Sequence, residues 1–392
     1  GRTIDNGDQS REQSQENDRN INNNNLGAVV FLAPPRHSGV GWDDRTNRFC
    51  MLMRAIRSVD QHLNAALQTQ YPIYILVARD YDKADLHKRD GPYTERDRAV
   101  LRSWAPHSNV VTFVEIDMYS NDALEPNTTR SEIMGWRQLG IDGAVKGRDL
   151  GYQSMCRLWS GRLQLHESMG DESFLADGTE YYMRMDDDSL LTKDLTFDPF
   201  LEMKRKDLLY AWRRDDFDHW GVDKLWQVSQ PHVMKARHAN NDDSRMASPM
   251  IFMDNNNNAT TTTTTEDDTT MLPTYTGKQP YNNFHISKLS FWRSPEWKNL
   301  WDDMNRNHLF FKYRAGDANV HAIALMMMDS NQYERWPDFP YVHNVNDDKN
   351  FGGMGNLQQF ECNAEFQNYD RSLVEKNHED SEENKRTAIE ES

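Results

Sequence analysis

Three apolar runs and one amphipathic helix near the start of this chain restrict it to a layered α/β fold. Ala28-Val29-Val30-Phe31-Leu32 is a short apolar run stopped by Pro34 and Pro35, the pattern of a buried strand. Leu52, Ile56, Val59, Leu63 and Ala66 then recur at helical spacing and predict an amphipathic helix over 47–68. Tyr71 to Val77 and Val110 to Ile116 are two further apolar strands. Strand, helix and strand at this spacing make a βαβ unit, so the expected architecture is a single, mostly parallel central sheet flanked by helices. Ligands of such sheets bind at the carboxyl ends of the strands, where the chemistry is to be sought.

Composition bounds the rest. The chain carries 62 Asp and Glu against 45 Lys and Arg, a net charge of −17. That excludes a sequence-independent nucleic-acid binder, which needs a basic face to displace counterions. No apolar stretch reaches the roughly 18 residues of a membrane span. Three cysteines (Cys50, Cys156 and Cys362) are too few for a disulfide scaffold or a four-cysteine zinc site, and leave open one bridge plus a free thiol or three free thiols.

Hydrophobic residues make up only 37% of the 392, so part of the chain must be a polar appendage. Residues 1–25, rich in Asn, Gln, Asp and Arg, predict a disordered stalk, and 363–392 an acidic tail. Between them, 26–362 is expected to form one domain, interrupted at 254–270 by a low-complexity Asn and Thr insertion. The chain begins at Gly1 rather than Met and reads as processed or truncated, with any membrane anchor upstream.

The strongest chemical signal is Tyr181-Tyr182-Met183-Arg184-Met185-Asp186-Asp187-Asp188, an aromatic strand running straight into three carboxylates. With a period of two, Asp186 and Asp188 share one side and Asp187 takes the other. Two carboxylates at a strand end suit a hard divalent cation, although a solvated acidic turn gives the same pattern.

Other segments join it in order. Gly151-Tyr152-Gln153-Ser154-Met155-Cys156-Arg157 precedes the aspartates, and Leu195-Thr196-Phe197-Asp198-Pro199-Phe200 follows them. Then come Tyr281-Asn282-Asn283-Phe284-His285-Ile286 and Phe291-Trp292-Arg293-Ser294. The last are Tyr313-Arg314-Ala315-Gly316-Asp317-Ala318-Asn319-Val320-His321-Ala322-Ile323-Ala324 and Pro340-Tyr341-Val342-His343. Over roughly residues 27–345 this series resembles the fungal α-1,2-mannosyltransferases of glycosyltransferase family 15. Their pattern reads Tyr-x-x-Met-Cys-Arg, Tyr-Tyr-Trp-Arg-x-Glu-Pro, Tyr-Asp-Pro-Phe, Asn-Phe-Glu-Ile, Phe-Phe-Arg-Ser, Arg-Trp-Gly-Asp-Ala-Pro-Val-His-Ser-Ile-Ala and Gly-Tyr-x-His.

The resemblance implies a GT-A type fold and retaining transfer of mannose from GDP-mannose to a mannoside or glycoprotein glycan, using Mn²⁺. Asp186 falls on the family's metal-binding Glu, and His343 on its metal-ligating His. The two are therefore expected within about 5 Å of a common point, with Asp188 beside them. Tyr152 matches an active-site tyrosine and Arg157 a neighbouring arginine suited to a phosphate; Asn283 and Asp188 fall among substrate-binding positions.

One departure concerns position 285, where His285 replaces a Glu proposed to stabilise or attack the anomeric carbon. Asp317 is expected to carry that negative charge instead, with His285 contacting donor or acceptor as a neutral group. As an alternative, Asp317 caps a helix Ala318–Met328. Trp212, Trp220 and Trp226 suit stacking on acceptor sugars or packing in the core, and Met326-Met327-Met328 reads as core.

Loss of the Glu also leaves open a catalytically inactive carbohydrate-binding protein, and specificity loops leave open another nucleotide sugar. The sequons Asn127-Thr128-Thr129 and Asn258-Ala259-Thr260, with the resemblance, suit a type II membrane protein whose domain lies in the Golgi lumen. Cys156 is expected to be buried and structural.

Overall fold

The computed structural model describes residues 26–33, 36–37, 48–80, 90–91, 93–108, 110–141, 150–167, 174–175, 178–239, 253–254 and 274–343. The expected stalk, the insertion beyond Asp254 and the acidic tail, with Asn258 and Cys362, lie outside them.

The sheet forms as the apolar runs require. Its strands are β1 (Gly27–Leu32), β2 (Ile73–Ala78), β3 (Val111–Ile116) and β4 (Tyr181–Met185). Then come β5 (Ser189–Leu191), outside the main sheet, and β6 (Tyr210–Trp212). Next are β7 (Asp215–Phe217), β8 (Lys278–Pro280), β9 (Phe284–Lys288), β10 (Tyr333–Arg335) and β11 (Tyr341–His343). Seven of them make the central sheet, in the order β10-β6-β9-β4-β1-β2-β3. Only β9 runs against its neighbours; the other adjacent pairs are parallel.

Strand periodicity divides the core into two layers. Ala28, Val30, Leu76, Val114, Tyr182 and Tyr210 pack on one face of the sheet, and Val29, Phe31, Ile75, Met183, Ala211 and Ile286 on the other. Both faces are covered, which is why these strands read as continuous apolar runs rather than alternating ones.

The first helix departs from the expected 47–68. It is α1 (Arg48–Val59), continuing as a π-helical turn Asp60–Ala65. The widened turn begins at Asp60, a buried carboxylate that accepts from the His107 backbone N–H at 3.0 Å and the Ser108 hydroxyl at 2.7 Å. Four further helices position the site: α2 (Leu150–Arg157), α3 (Val222–Ala239), α4 (Pro295–Arg306) and α5 (Asp317–Met327).

Helix α5 begins one residue earlier than expected: Gly316 takes the N-cap position and Asp317 is the first helical residue. The Asp317 carboxylate is thereby free of capping and turns inward. Met326 and Met328 are buried core, as are Trp212 and Trp226, whereas Trp220 is half-buried. Among the described residues no helix is long and apolar enough to cross a membrane.

Candidate active site

The site forms where β4 ends. Asp186 follows the last residue of β4, and its backbone N–H is fixed by the Asn283 carbonyl at 3.1 Å. The chain turns at once into β5, which pairs antiparallel with β11 in the register His343↔Ser189. That ladder carries His343, from the far end of the described chain, to the residue beside Asp188.

His343 Nδ1 lies 3.1 Å from an Asp188 carboxylate oxygen, and ligand atoms of Asp186, Asp188 and His343 all lie within 4.8 Å of one another. The Asn283 amide donates to Asp186 at 2.5 Å and reaches His343 Nε2 at 3.2 Å. Burial acts to lower the His343 pKa, but its hydrogen bond to Asp188 and the Asp188 and Asp186 charges outweigh this and raise it. An imidazole drawn to positive charge by two carboxylates marks a point where a cation is favoured. The donor set of two carboxylates and one imidazole fits Mn²⁺, which accepts nitrogen as well as oxygen.

Behind the cluster stands a residue that the sequence reading did not single out. Arg184 lies on the β4 face that carries Tyr182, and it is buried. Its guanidinium donates to Asp186 Oδ1 at 3.0 Å and to Asp317 Oδ2 at 2.5 Å, and lies over the Trp159 ring at 4.4 Å. Burial alone would depress this arginine; the Asp186 and Asp317 charges more than offset it, so Arg184 stays charged.

Asp317 shows the reciprocal balance. Burial raises its carboxyl, but the Arg184 charge and hydrogen bond, with lesser help from His321 and the Asn282 amide at 3.0 Å, hold it below the usual carboxylate range. Asp317 is therefore an anion at neutral pH, linked through one guanidinium to the Asp186 cluster.

Tyr152 is half-buried on α2, and its hydroxyl shares the Cys156 thiol with the Asp317 backbone N–H. Cys156 is free and buried, and burial pushes its thiol well up. These contacts bring Tyr152 alongside Asp317.

Two expected site residues lie elsewhere. Arg157 is buried, donating to Glu167 at 2.7 Å and to Asn305 at 3.0 Å, with its guanidinium over Trp301 at 5.1 Å. Its donors hold α2 to α4, which corrects the expectation of a phosphate ligand.

His285 is fully buried beneath the site rather than lining it. Its Nδ1 faces the Asn282 carbonyl at 3.1 Å and must donate, so Nε2 accepts from the Tyr182 hydroxyl at 2.9 Å. Tyr210 stacks on the imidazole at 5.1 Å. Burial, then the nearby His321 and Arg184, push its pKa well below the ordinary value. Neutrality is as expected, but with both nitrogens used inside the protein, contact with donor or acceptor is not. His285 is part of a buried aromatic network.

A mostly parallel sheet whose strand ends gather carboxylates and an imidazole has the GT-A architecture of nucleotide-diphospho-sugar transferases. Solved structures with this fold include the mannosyltransferase Ktr4p from Saccharomyces cerevisiae in complex with GDP. That pair has a TM-score of 0.58 at 19% identity, covering 88% of this chain and 82% of the other. Core-mannan synthase A (CmsA/Ktr4) from Aspergillus fumigatus, in a Mn/GDP form, gives 0.53 at 19% identity, covering 81% and 74%.

The chain belongs to the glycolipid 2-alpha-mannosyltransferase family, glycosyltransferase family 15, whose model matches residues 4–374. The O-glycoside alpha-1,2-mannosyltransferase omh1 of Schizosaccharomyces pombe is 27% identical over 213 residues, covering 53% of this chain and 47% of that protein. A glycolipid 2-alpha-mannosyltransferase of Saccharomyces cerevisiae is 25% identical over 211 residues, covering 53% and 42%. The chain thus spans about half the length of the curated relatives it matches.

Proposed function

We propose that this chain is a retaining, metal-dependent α-1,2-mannosyltransferase that moves mannose from GDP-mannose to a mannoside or glycoprotein glycan. The observation that carries the reading is the Asp186–Asp188–His343 cluster, joined through Arg184 to Asp317 at the carboxyl ends of the strands. The names of its relatives, and the GDP and Mn/GDP of the solved structures, support the choice of donor and ion.

Asp186 and His343 would hold Mn²⁺, with Asp188 beside them, and the ion would supply Lewis-acid neutralisation of the diphosphate leaving group. Arg184 fixes Asp186 from behind, so its carboxylate needs no reorganisation when the ion binds. Asp317, kept anionic by Arg184, supplies the negative charge that an oxocarbenium-like transition state requires. The polar residues Asn282 and Asn283 fix the turn that orients both carboxylates. Residence in the Golgi lumen, as a type II membrane protein, is part of the same proposal.

GDP-mannose turnover with α-methyl mannoside, in Mn²⁺ and in chelator, tests the function. Mn²⁺-dependent transfer supports it. GDP binding without turnover would instead mark an inactive, carbohydrate-binding member of the family. Transfer from a different nucleotide sugar would overturn the donor assignment alone.

A further inference from the structure

Helix α2 runs on past Arg157 as a π-helical turn, Leu158–Arg162, buried throughout. The Leu163 backbone N–H goes to the Leu158 carbonyl at 3.0 Å, one residue further back than the Trp159 carbonyl that an α-helix would use. Gly161 lets this turn lie against α4: a Cβ there would stand 2.6 Å from the ring of the buried Trp301.

The Trp159 carbonyl accepts instead from two side chains, His321 Nε2 at 2.9 Å and the Gln164 amide at 3.1 Å. His321 lies one turn beyond Asp317 on α5. The Gln164 amide also donates to the Tyr182 hydroxyl at 2.6 Å, two residues before Arg184 on β4. The widened turn is thus tied to both elements whose side chains meet at the site. Its product is the placement of the Trp159 ring, fully buried, with the Arg184 guanidinium over it at 4.4 Å. The indole Nε1 has no hydrogen-bond partner, so the ring contributes its face and not its N–H.

We propose that Trp159 is a positioning residue for transfer, whose ring holds the Arg184 guanidinium in the one plane that serves both Asp186 and Asp317. This rests on the transferase reading above. Arg184 reaches Asp186 through Nε at 3.0 Å and Nη2 at 2.9 Å, and Asp317 through Nη1 at 2.5 Å. All three nitrogens are directed at carboxylates within the guanidinium plane, which leaves only its faces to be supported. An indole face attracts a buried cation without taking an N–H from either carboxylate. A polar group there would compete for those donors, and an aliphatic one would leave the guanidinium free to tilt between its partners. π-Helical turns recur at functional sites, and here the turn sets the ring relative to α5 and β4.

The first test is steady-state transfer from GDP-mannose to α-methyl mannoside in Mn²⁺. Wild type, Trp159→Phe and Trp159→Met are compared, alone and with Arg184→Lys, each checked for folding by circular dichroism. Trp159→Met should lower kcat by about tenfold or more, with donor and acceptor KM within about threefold. Trp159→Phe, which keeps an aromatic face, should recover most of the loss. With Arg184→Lys present the plane is already gone, and Trp159→Met should change kcat by less than about threefold. An unchanged kcat in Trp159→Met, or a loss of the same size in both backgrounds, would make Trp159 ordinary packing and overturn the proposal.

NMR of metal-free protein carrying isotope-labelled arginine separates this failure from failure of the transferase reading, with the Arg184 signals assigned by their loss in Arg184→Lys. Separate Nη1 and Nη2 signals in wild type and Trp159→Phe that merge in Trp159→Met sustain the positioning role even without turnover. Merged signals in wild type, or separate ones in Trp159→Met, overturn it. Trp159→Leu takes the place of the methionine variant if that protein does not fold.

Discussion

Arg184 and Asp317, 133 residues apart in sequence, meet at 2.5 Å inside the protein, and the same guanidinium reaches Asp186 at 3.0 Å. One buried cation thus joins the carboxylate proposed to hold the metal to the one proposed to face the sugar. Removing such a cation leaves two carboxylates unpaired, a loss of about 3–5 kcal/mol in buried settings. The fork geometry also matters, because a lysine ammonium cannot serve both partners in one plane. Arg184→Lys should therefore remain folded, with a lowered urea midpoint, and lose roughly 100-fold or more in kcat. Arg184→Lys and Asp317→Asn should be strongly non-additive in a double-mutant cycle; simple additivity would show that the pair does not act as a unit.

Positions 285 and 317 should separate stability from turnover. His285 bridges the Asn282 carbonyl and the Tyr182 hydroxyl, and a glutamine there cannot satisfy both with the same geometry. His285→Gln is expected to cost about 1–3 kcal/mol in urea unfolding while kcat changes by no more than a few fold. Asp317→Asn should lower kcat by several orders of magnitude, since it removes charge needed only in the transition state. A near-normal rate for Asp317→Asn would place the charge on a different residue.

Two buried histidines give the protein a pH signature. His321 accepts from the Tyr210 hydroxyl at 2.8 Å through Nδ1 and donates to the Trp159 carbonyl at 2.9 Å, and burial pushes its pKa down to about 4. His285 is shifted the same way. Both are neutral when folded and take up protons freely when unfolded below about pH 6.5. The unfolded state then binds more protons, so stability is full above that pH and falls as pH drops toward the folded values. Each ring contributes a slope of about 1.4 kcal/mol per pH unit. Urea midpoints between pH 7 and pH 5 should fall for wild type and fall less steeply for His285→Gln.

Asn127 is an exposed turn residue with φ +63°, and Thr129, two residues on, caps the following helix Arg130–Gln138. Material from a secretory host should carry a glycan there, read as a mobility shift lost on enzymatic deglycosylation and in Asn127→Gln. Identical mobility in both comparisons would contradict lumenal residence.

How far the sequence revealed the structure depended on whether the signal was local. The β1, β2 and β3 runs were readable because a strand buried on both faces is apolar at every position. Asp186 and Asp188 do come together, but through the turn after Met185 rather than a continued strand period, and the family pattern brought His343 to them. Arg184 escaped notice because a charge within an apolar strand has no local partner; Asp317 comes from a distant helix. Its signal was present all the same, as an arginine in an inward position between Tyr182 and Asp186. His285 and Arg157 were misplaced for the opposite reason: motif position showed where they lie along the chain but not that each is sealed by partners from other elements.

The central claim is that Asp186 and His343 bind the ion on which transfer depends. Calorimetric Mn²⁺ titration of wild type, Asp186→Asn and His343→Ala, with GDP present, measures this directly. The account predicts one Mn²⁺ site in wild type and a loss of affinity of roughly 10-fold to 100-fold or more in each variant, with circular dichroism unchanged. Equal Mn²⁺ affinity in all three proteins would contradict it.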